Sequence, residues 1–333
     1  MSSEIQKFDV LVIGSGLAGC IAAITAANKG RNVLIITKTE ELMSGNTPYA
    51  QGGIIYTGEE DSPQKLKKDI MDAGDGHCWE IAVDQLANFG PKLVKELLIE
   101  KFNVEFDRTS DDNLDLTAEG AHSQPRIIHS KDHTGKAIHK AVIESVSKHP
   151  NITVWSNHTA VDLLTLSHHS RNSLDIYKKP ACFGALVLNN TTGRTFPIYA
   201  KYTVLATGGL GQIYLHTTNP TESTGDGIAL AWRAGARCFN LEYIQFHPTS
   251  FYSEKETFLI SESLRGEGAI LIDNKGNSFM ERFHELKSLA PRDIVARAIH
   301  QVMLETGHPC VYLDISFKNS DWLKNRFPTI YQN

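Results

Sequence analysis

The chain has 333 residues, of which 41% are hydrophobic, and its formal net charge is −5. This length allows a large buried core and favours two domains over one. Lysine and arginine are scattered along an acidic chain, which argues against a nucleic acid partner. The five cysteines are widely spaced and form no C-x-x-C motif, so we expect neither a disulfide framework nor a zinc site, and a reducing cytoplasm is the expected location.

One uncharged stretch, residues 10–27, reaches the roughly 18 residues at which a membrane helix is suspected. A Gly-Ser-Gly break lies inside it, and no cationic leader precedes it. We therefore expect no stable insertion into a membrane.

The amino end predicts a βαβ unit. Residues 8–13 form a short apolar run bounded by glycine, which is typical of a strand buried in a parallel sheet. Residues 17–29 have the pattern of a helix closed by Gly30, and residues 33–36 indicate a second buried strand.

Further along, the apolar spacing of residues 63–101 is helical, whereas residues 107–135 are polar, lack any period and predict a long loop. A helix at 137–147 and strands at 154–155, 185–188 and 202–206 follow. The expected fold class is α/β: a doubly wound, Rossmann-like domain over residues 1–240 and a smaller, mixed α+β domain over residues 241–333.

Gly14, Gly16 and Gly19 form a G-x-G-x-x-G motif between the first strand and its helix, a position that suits a dinucleotide site. The first glycine makes the turn, the second admits a pyrophosphate to the backbone and the third lets helix and strand pack closely. The helix N-terminus supplies N–H groups for the phosphate. The second strand ends at Thr37-Lys38 without the usual acidic residue, so this motif alone leaves NAD and FAD open.

Three more segments carry a resemblance to a known family: SGNTPYAQGG at residues 44–53, ATGG at 206–209 and TGDG at 224–227. In this order they resemble the family of succinate dehydrogenase and fumarate reductase flavoproteins and L-aspartate oxidases. The resemblance implies that residues 1–240 are an FAD-binding domain and that 241–333 are part of a capping domain. It implies that FAD is lined by Gly14, Ser15, Gly16, Gly19, Lys38, Asn46, Thr47, Gln51, Gly52, Gly53, Gly208 and Asp226.

The way in which FAD is held is expected to be noncovalent. Respiratory members of this family carry a histidine, which bonds to the flavin, just before the threonine of the x-Thr-x-x-Ala-Gln-Gly-Gly segment. This chain has Asn46 before Thr47, and an amide has no nucleophilic nitrogen to form that bond.

Three motifs resemble the dicarboxylate site of the family: QFHPT at residues 245–249, SESLRGEG at 261–268 and APRD at 290–293. By that resemblance His247 and Ser261 bind one substrate carboxylate, with serine standing where relatives usually have threonine. Arg292 lies beside the reacting carbon, where it accepts a proton or stabilises charge; arginine also suits carboxylates because its planar fork bonds both oxygens.

Glu262 and Arg265 keep the spacing of a proton relay to the catalytic arginine in fumarate-reducing relatives. Residues at i and i+3 share a helix face. A solvated surface pair remains the alternative for these two charges.

The polar segment LTAEGAHS at residues 116–123, followed by RIIH at 126–129, resembles a segment peculiar to L-aspartate oxidases. The resemblance implies that Glu119 meets the ammonium group of the substrate, which succinate lacks. The histidines of this region fit no metal-ligand spacing, so no metal site is predicted, and only His129 is kept as a candidate pocket residue. These histidines are His122, His129, His133 and His139.

The resemblance thus implies FAD-dependent oxidation of L-aspartate to iminoaspartate, with reoxidation by O2 or fumarate, as the first step of NAD biosynthesis. A quinolinate synthase partner is an expectation of the same kind. It also implies a carboxy-terminally truncated chain that lacks a second histidine and a second arginine of the substrate site. A fumarate reductase or succinate dehydrogenase type of flavoprotein, and an inactive flavin-binding fragment, remain the alternatives.

Overall fold

A computed structural model of the chain describes residues 7–251, 253 and 257–332. Its strands are β1 Lys7–Ile13, β2 Val33–Ile36, β3 Ile54–Ile55, β4 Leu116–Thr117, β5 Ile127–Ile128, β6 Ile152–Trp155, β7 His158–Thr165, β8 Cys182–Asn189, β9 Thr195–Leu205, β10 Ile270–Ile272 and β11 Tyr312–Asp314. Its helices are α1 Leu17–Ala27, α2 Pro63–Ala73, α3 Glu80–Leu93, α4 Thr134–Lys148, α5 Leu166–His169, α6 Asp226–Arg233, α7 Ser263–Gly266, α8 Arg292–Thr306, α9 Ser320–Arg326 and α10 Pro328–Gln332.

The chain divides into two compact units. Unit one comprises the described residues up to Tyr49 together with Ile138–Tyr243, and unit two comprises Ala50–Ala137 together with the described residues from Ile244 onward. The boundary expected at residue 241 lies close to Ile244. Residues 50–137 group with unit two because the chain leaves unit one after Tyr49 and returns to it only at Ile138, a path that a linear pattern does not display.

Unit one is built on a six-stranded sheet with the order β6-β2-β1-β9-β8-β7. β6, β2, β1 and β9 are parallel, whereas β8 and β7 are antiparallel. The predicted α/β fold class is confirmed, with a mixed sheet. β7 was not predicted from the sequence: its alternation of buried and exposed residues is broken by two register shifts, which weakens the pattern of a strand.

The parallel strands form because their side chains can be buried on both faces. All four residues of β2 are buried, and β1 is buried from Val10 to Ile13. Each fully buried aliphatic side chain contributes about 1.5–3 kcal/mol relative to an exposed one. The uncharged stretch at residues 10–27 is therefore a buried strand, a glycine turn and α1, and no helix in the described part of the chain is long and apolar enough to cross a membrane.

Unit two contains a three-stranded antiparallel sheet with the order β3-β5-β4, a two-stranded sheet of β10 and β11, and a core of which α8 is part. The prediction of a long loop over residues 107–135 is wrong at β4 and β5, because Ile127 and Ile128 pair with both β3 and β4 and are buried. The helical region predicted at residues 63–101 is interrupted between α2 and α3, where Asp75 and Gly76 adopt positive φ.

Candidate functional site

Unit one holds a cavity of about 300 Å³ at the carboxyl ends of β1, β2 and β9. Ligands of open α/β sheets bind at this edge. Most of the residues that the sequence assigns to the cofactor lie here, and the cavity lining includes Gly14, Ser15, Gly16, Lys38, Asn46, Thr47, Gly208 and Asp226.

The turn between β1 and α1 requires glycine. Gly14 has φ +114°, and a Cβ atom on it would lie 2.2 Å from the carbonyl oxygen of Ala206. A Cβ atom on Gly19 would lie 2.0 Å from the carbonyl oxygen of Gly14, so α1 packs closely against the turn that follows β1. Both positions therefore exclude a side chain, so only glycine fits there.

Polar side chains fix the loop that faces this turn. The Thr47 hydroxyl accepts a hydrogen bond from the Leu17 amide at 3.1 Å, so it takes one of the free N–H groups at the start of α1. The amide nitrogen of Asn46 donates to the Ser223 hydroxyl at 2.9 Å. Asn46 thus lies on the cavity wall as a neutral hydrogen-bonding group.

Lys38 and Asp226 form an ion pair at 2.9 Å, and the Lys38 ammonium also donates to the Thr224 hydroxyl at 3.0 Å. The pair joins the end of β2 to the start of α6, where a carboxylate is favoured by the helix dipole. Since the two charges compensate each other, this end of the cavity offers hydrogen bonds more than net charge. Such a wall fits the ribose and phosphate groups of a dinucleotide.

Of the other four predicted cofactor residues, Gly19 lies within α1 of unit one, and Gln51, Gly52 and Gly53 lie in unit two. The side-chain oxygen of Gln51 is buried and has no hydrogen-bond partner within the described residues, as expected of a group that waits for a ligand. A Cβ atom on Gly52 would lie 3.0 Å from a carboxylate oxygen of Glu119, and one on Gly53 would overlap Ile127. The glycine pair therefore makes room for Glu119 and for β5.

Unit two holds its own cavity, of about 600 Å³. The side chains that line it carry both signs of charge. They include Asp69, Glu119, His122, Gln245, Glu262 and Arg292.

Glu262 lies between two arginines. One of its carboxylate oxygens contacts the Arg292 Nε, and the other is 3.1 Å from an Arg265 Nη. Glu262 and Arg265 are 5% and 1% exposed, so they are not a solvated surface pair. Arg265 also donates to the Ser288 carbonyl at 2.7 Å, and burial lowers the pKa of its guanidinium, although the nearby Glu262 opposes that change.

Arg292 is the first residue of α8 and follows Pro291, whose fixed φ starts the helix. Its Nη1 donates to the side-chain oxygen of Gln245 at 2.9 Å. With Glu262 on Nε, the Nη2 group has no hydrogen-bond partner in the described part of the chain. Gln245 was missed as a site residue, although it opens the motif that contains His247.

Glu119 lies near this cluster. Burial and the negative charge of Glu262 raise the pKa of its carboxyl group, despite the opposing charge of Arg292. The Ser263 hydroxyl donates to it at 3.4 Å, and the hydroxyl of Ser261 in turn donates to Ser263 at 3.0 Å. A carboxylate in this position gains by meeting a cation.

His247 has one engaged and one free ring nitrogen. Its Nδ1 accepts a hydrogen bond from the amide of Thr249 at 3.3 Å, while the Thr249 hydroxyl donates to the Ile260 carbonyl at 2.8 Å. Its Nε2 is buried with no partner among the described residues. Burial, and then the charge of Arg292, lower the pKa of His247 to about 4, so the ring is neutral and Nε2 carries the proton. A hydrogen-bond acceptor is the partner that such a buried donor lacks.

His129, the other candidate, is engaged elsewhere. It is buried, and its Nδ1 lies 3.0 Å from a carboxylate oxygen of Asp107. It is not among the residues that line the cavity of unit two. Within residues 7–251, 253 and 257–332, no three histidine, cysteine or acidic side chains are grouped as metal ligands.

Comparison with known proteins places these cavities in context. The model of the FAD binding domain family matches residues 9–333. The L-aspartate oxidase of Vibrio cholerae is 44% identical over 98% of this chain and 60% of its own length. The L-aspartate oxidase of Pseudomonas aeruginosa is 43% identical over 99% of this chain and 61% of its own length. The chain thus spans about 60% of the length of these relatives.

Among solved structures, a mutant quinol fumarate reductase of E. coli is similar with a TM-score of 0.85 and 25% identity, over 98% of this chain and 57% of that chain. A quinol-fumarate reductase with menaquinol molecules has a TM-score of 0.87 and 26% identity over the same shares. The similarity therefore extends along almost all of this chain.

Proposed function

We propose a function for this chain from the premise that it belongs to the FAD binding domain family and is a homologue of L-aspartate oxidases. The proposed reaction is the FAD-dependent oxidation of L-aspartate to iminoaspartate. Because the chain spans about 60% of the length of these relatives, the catalytic activity of the whole protein is part of what we propose. The observation that carries it is the presence of Glu119 and Arg292 in the wall of one cavity.

FAD would be held noncovalently. In unit one the glycine turn, the start of α1, the Lys38–Asp226 pair and Asn46 fit a dinucleotide, and in unit two the free oxygen of Gln51 fits a hydrogen-bond donor. When bound, FAD would supply the two-electron acceptor for the α-hydrogen of the substrate. The proposed FAD contacts are Gly14, Ser15, Gly16, Gly19, Lys38, Asn46, Thr47, Gln51, Gly52, Gly53, Gly208 and Asp226.

The substrate would be held by charge at both ends. Arg292 keeps its Nη2 group for a carboxylate, and His247 keeps a buried N–H donor near it. Ser261 adds a hydroxyl that is already linked through Ser263 to Glu119. Glu119 would pair with the ammonium group, and two fixed ends orient the carbon between them.

Glu262 and Arg265 would position Arg292. Glu262 accepts from the Arg292 Nε, and Arg265 balances the second oxygen of the same carboxylate. An arginine stays charged at physiological pH, so we assign charge stabilisation to Arg292. Oxidation of an amine to an imine also requires a proton to leave the nitrogen, and the raised pKa of Glu119 suits a carboxylate that accepts it.

A second candidate is the oxidation or reduction of a dicarboxylate without an amine. The buried Arg265–Glu262–Arg292 cluster favours it, since a relay of this kind serves proton transfer to a dicarboxylate. Glu119 disfavours it, because a second carboxylate would face the Glu119 charge without an ammonium group between them.

Three further points belong to the proposed oxidation of L-aspartate. The electron acceptor would be O2 or fumarate, and the location would be the cytoplasm. The product would pass to a quinolinate synthase for NAD biosynthesis.

The test is equilibrium binding of L-aspartate and succinate, under anaerobic conditions, to the chain and its Glu119→Gln variant with their FAD chemically reduced, so that neither ligand is oxidised during the measurement. We expect the wild type to prefer L-aspartate by about tenfold or more, as one charge-assisted hydrogen bond contributes about 1.5–3 kcal/mol. The variant should lose that preference and keep its affinity for succinate. Equal affinities in both proteins would reject the assignment of Glu119, and a preference for succinate in the wild type would favour the second candidate.

A further inference from the structure

Glu119 and His122 belong to one tight turn in the wall of the unit two cavity. The amide of His122 donates to the carbonyl oxygen of Glu119 at 3.2 Å, and Ala121 between them has φ +67°. Both side chains line the same cavity. Groups presented by one turn can reach two substituents of a single carbon atom.

The protonation of His122 is set by its neighbour Arg126. The Arg126 Nη1 lies 3.1 Å from the His122 Nδ1. Since a guanidinium group can only donate, Nδ1 must accept, and the ring proton must lie on Nε2. Burial and the charge of Arg126 lower the pKa of His122, so the ring is neutral at physiological pH.

Arg126 is itself fixed. It is fully buried, and its Nε and Nη2 each donate to Asp61 at 2.7 Å. Its Nη1 also contacts Asp69, which accepts hydrogen bonds from the amide and the hydroxyl of Ser123 at 2.9 Å. The turn that carries Glu119 and His122 is therefore tied to α2 through an ion-pair network, and the His122 ring has one orientation.

The His122 Nε2–H group is left as a neutral donor on the cavity wall. It has no hydrogen-bond partner within the described residues. Its neutrality matters because a cation at this place would pair with Glu119 and compete with an ammonium group. A neutral N–H donor can bind a carboxylate without that competition.

We propose that the turn from Glu119 to His122 recognises the amino-acid end of the substrate, with Glu119 on the α-ammonium group and the His122 Nε2–H on the α-carboxylate. This inference rests on the proposed function and names the specificity of the same cavity. Arg292 then receives the distant carboxylate. His122 is a substrate-binding residue, and Arg126 is a positioning residue that selects its tautomer.

The test measures binding to the FAD-loaded chain, with its FAD chemically reduced under anaerobic conditions to prevent turnover, of three probes: L-aspartate, succinate and β-alanine, which is L-aspartate without its α-carboxylate. His122→Phe removes the donor and keeps an aromatic ring, and His122→Gln keeps an N–H donor. We expect His122→Phe to weaken L-aspartate by about tenfold and to leave β-alanine within about twofold, with His122→Gln restoring most of the loss. The Glu119→Gln variant should instead weaken L-aspartate and β-alanine and spare succinate.

A His122→Phe variant that binds L-aspartate normally, or that loses L-aspartate and β-alanine equally, would overturn the inference while leaving the proposed function intact. A wild type that binds no L-aspartate would overturn both.

A second measurement needs no substrate. In ¹⁵N spectra of the histidine rings, the signal lost in His122→Phe must report a neutral ring with the proton on Nε2. A proton on Nδ1, or a charged ring at about pH 7, would also overturn the inference. Thermal midpoints and flavin content of the variants control for folding.

Discussion

The carboxyl group of Glu119 lies in a cavity wall beside a second carboxylate, that of Glu262, and its pKa is raised by burial and by this neighbour. Such a group destabilises the empty protein and becomes favourable when a cation arrives. Binding sites commonly contain charged groups that lower the stability of the free protein, and perturbed pKa values cluster at such functional sites.

We predict that Glu119→Gln stabilises the chain at neutral pH. The pKa in the folded state lies above the ordinary value of 4.5, so folding binds protons and stability is lost as the pH rises through the raised pKa. A tenfold change in an ionisation constant corresponds to about 1.4 kcal/mol of folding free energy. Thermal midpoints of the two proteins should differ at about pH 8, with the variant higher, and should converge below about pH 4.5. Substitution of the exposed Glu285, Glu285→Gln, is the control. An equal rise of its thermal midpoint would show that the raised pKa of Glu119 is not the cause.

Binding should show the same titration. Glu119 must be ionised to pair with an ammonium group, so the affinity for L-aspartate should fall as the pH drops through the raised pKa. This loss should begin at a higher pH than an ordinary glutamate would produce. Anaerobic calorimetric titration across pH 4–8 of the chain with its FAD chemically reduced would measure it, and Glu119→Gln should lack this pH dependence. A wild-type affinity that stays constant over that range would contradict the role of Glu119.

At the scale of elements, two short segments position the cavities: the glycine turn between β1 and α1, and the segment from β4 to β5 that carries Glu119. The first excludes side chains by close backbone contact, and the second is held by the buried ion pairs of Arg126. The two segments depend on different interactions, so a different substitution tests each of them.

For the glycine turn, Gly14→Ala should abolish FAD retention and destabilise unit one. The new Cβ atom would lie 2.2 Å from the Ala206 carbonyl oxygen, where something must shift, and φ +114° is strained for alanine. Gly30→Ala is a matched control, because Gly30 has φ +72° but nothing within 4 Å of the added atom. Flavin content and thermal midpoint are the measurements. If both variants lose flavin equally, close approach is not the cause.

For the segment that carries Glu119, Arg126→Gln should lower the free energy of unfolding by about 3–5 kcal/mol, since it leaves two buried carboxylates without their partner. Burial opposes the ionisation of Asp69, but hydrogen bonds from Ser123 and Arg126 outweigh it and hold its pKa below the ordinary value. Arg297→Gln removes an exposed ion pair with Asp293 and should change little. Urea denaturation compares them, and equal losses would contradict the account.

At the scale of the whole molecule, the sequence predicts what local pattern controls. Both bounds of β2 were predicted correctly, and the predicted βαβ unit is present. Apolar strands and glycine turns are specified by residues close together in sequence, so a local pattern predicts them. β7 and the β3-β5-β4 sheet were not predicted, since their formation depends on partners distant in the chain.

The candidate site follows the same division. Motifs named Glu119, Glu262 and Arg292, which the structure places in one cavity. The ion pairs of Arg126 were not predicted, because Asp61 and Asp69 lie 65 and 57 residues away in sequence. Nothing in the sequence around these two aspartates distinguishes them from exposed acidic residues. Gln245 and His122 belong to the motifs at residues 245–249 and 116–123, but their contacts form only when distant parts of the chain meet in the fold.

The most direct measurement is an anaerobic titration of the FAD-loaded chain with L-aspartate, followed through the visible absorbance of the flavin, with succinate as the control. We expect loss of the oxidised flavin absorbance with L-aspartate and none with succinate. Flavin that stays oxidised with L-aspartate, or that is reduced equally by succinate, would contradict this expectation.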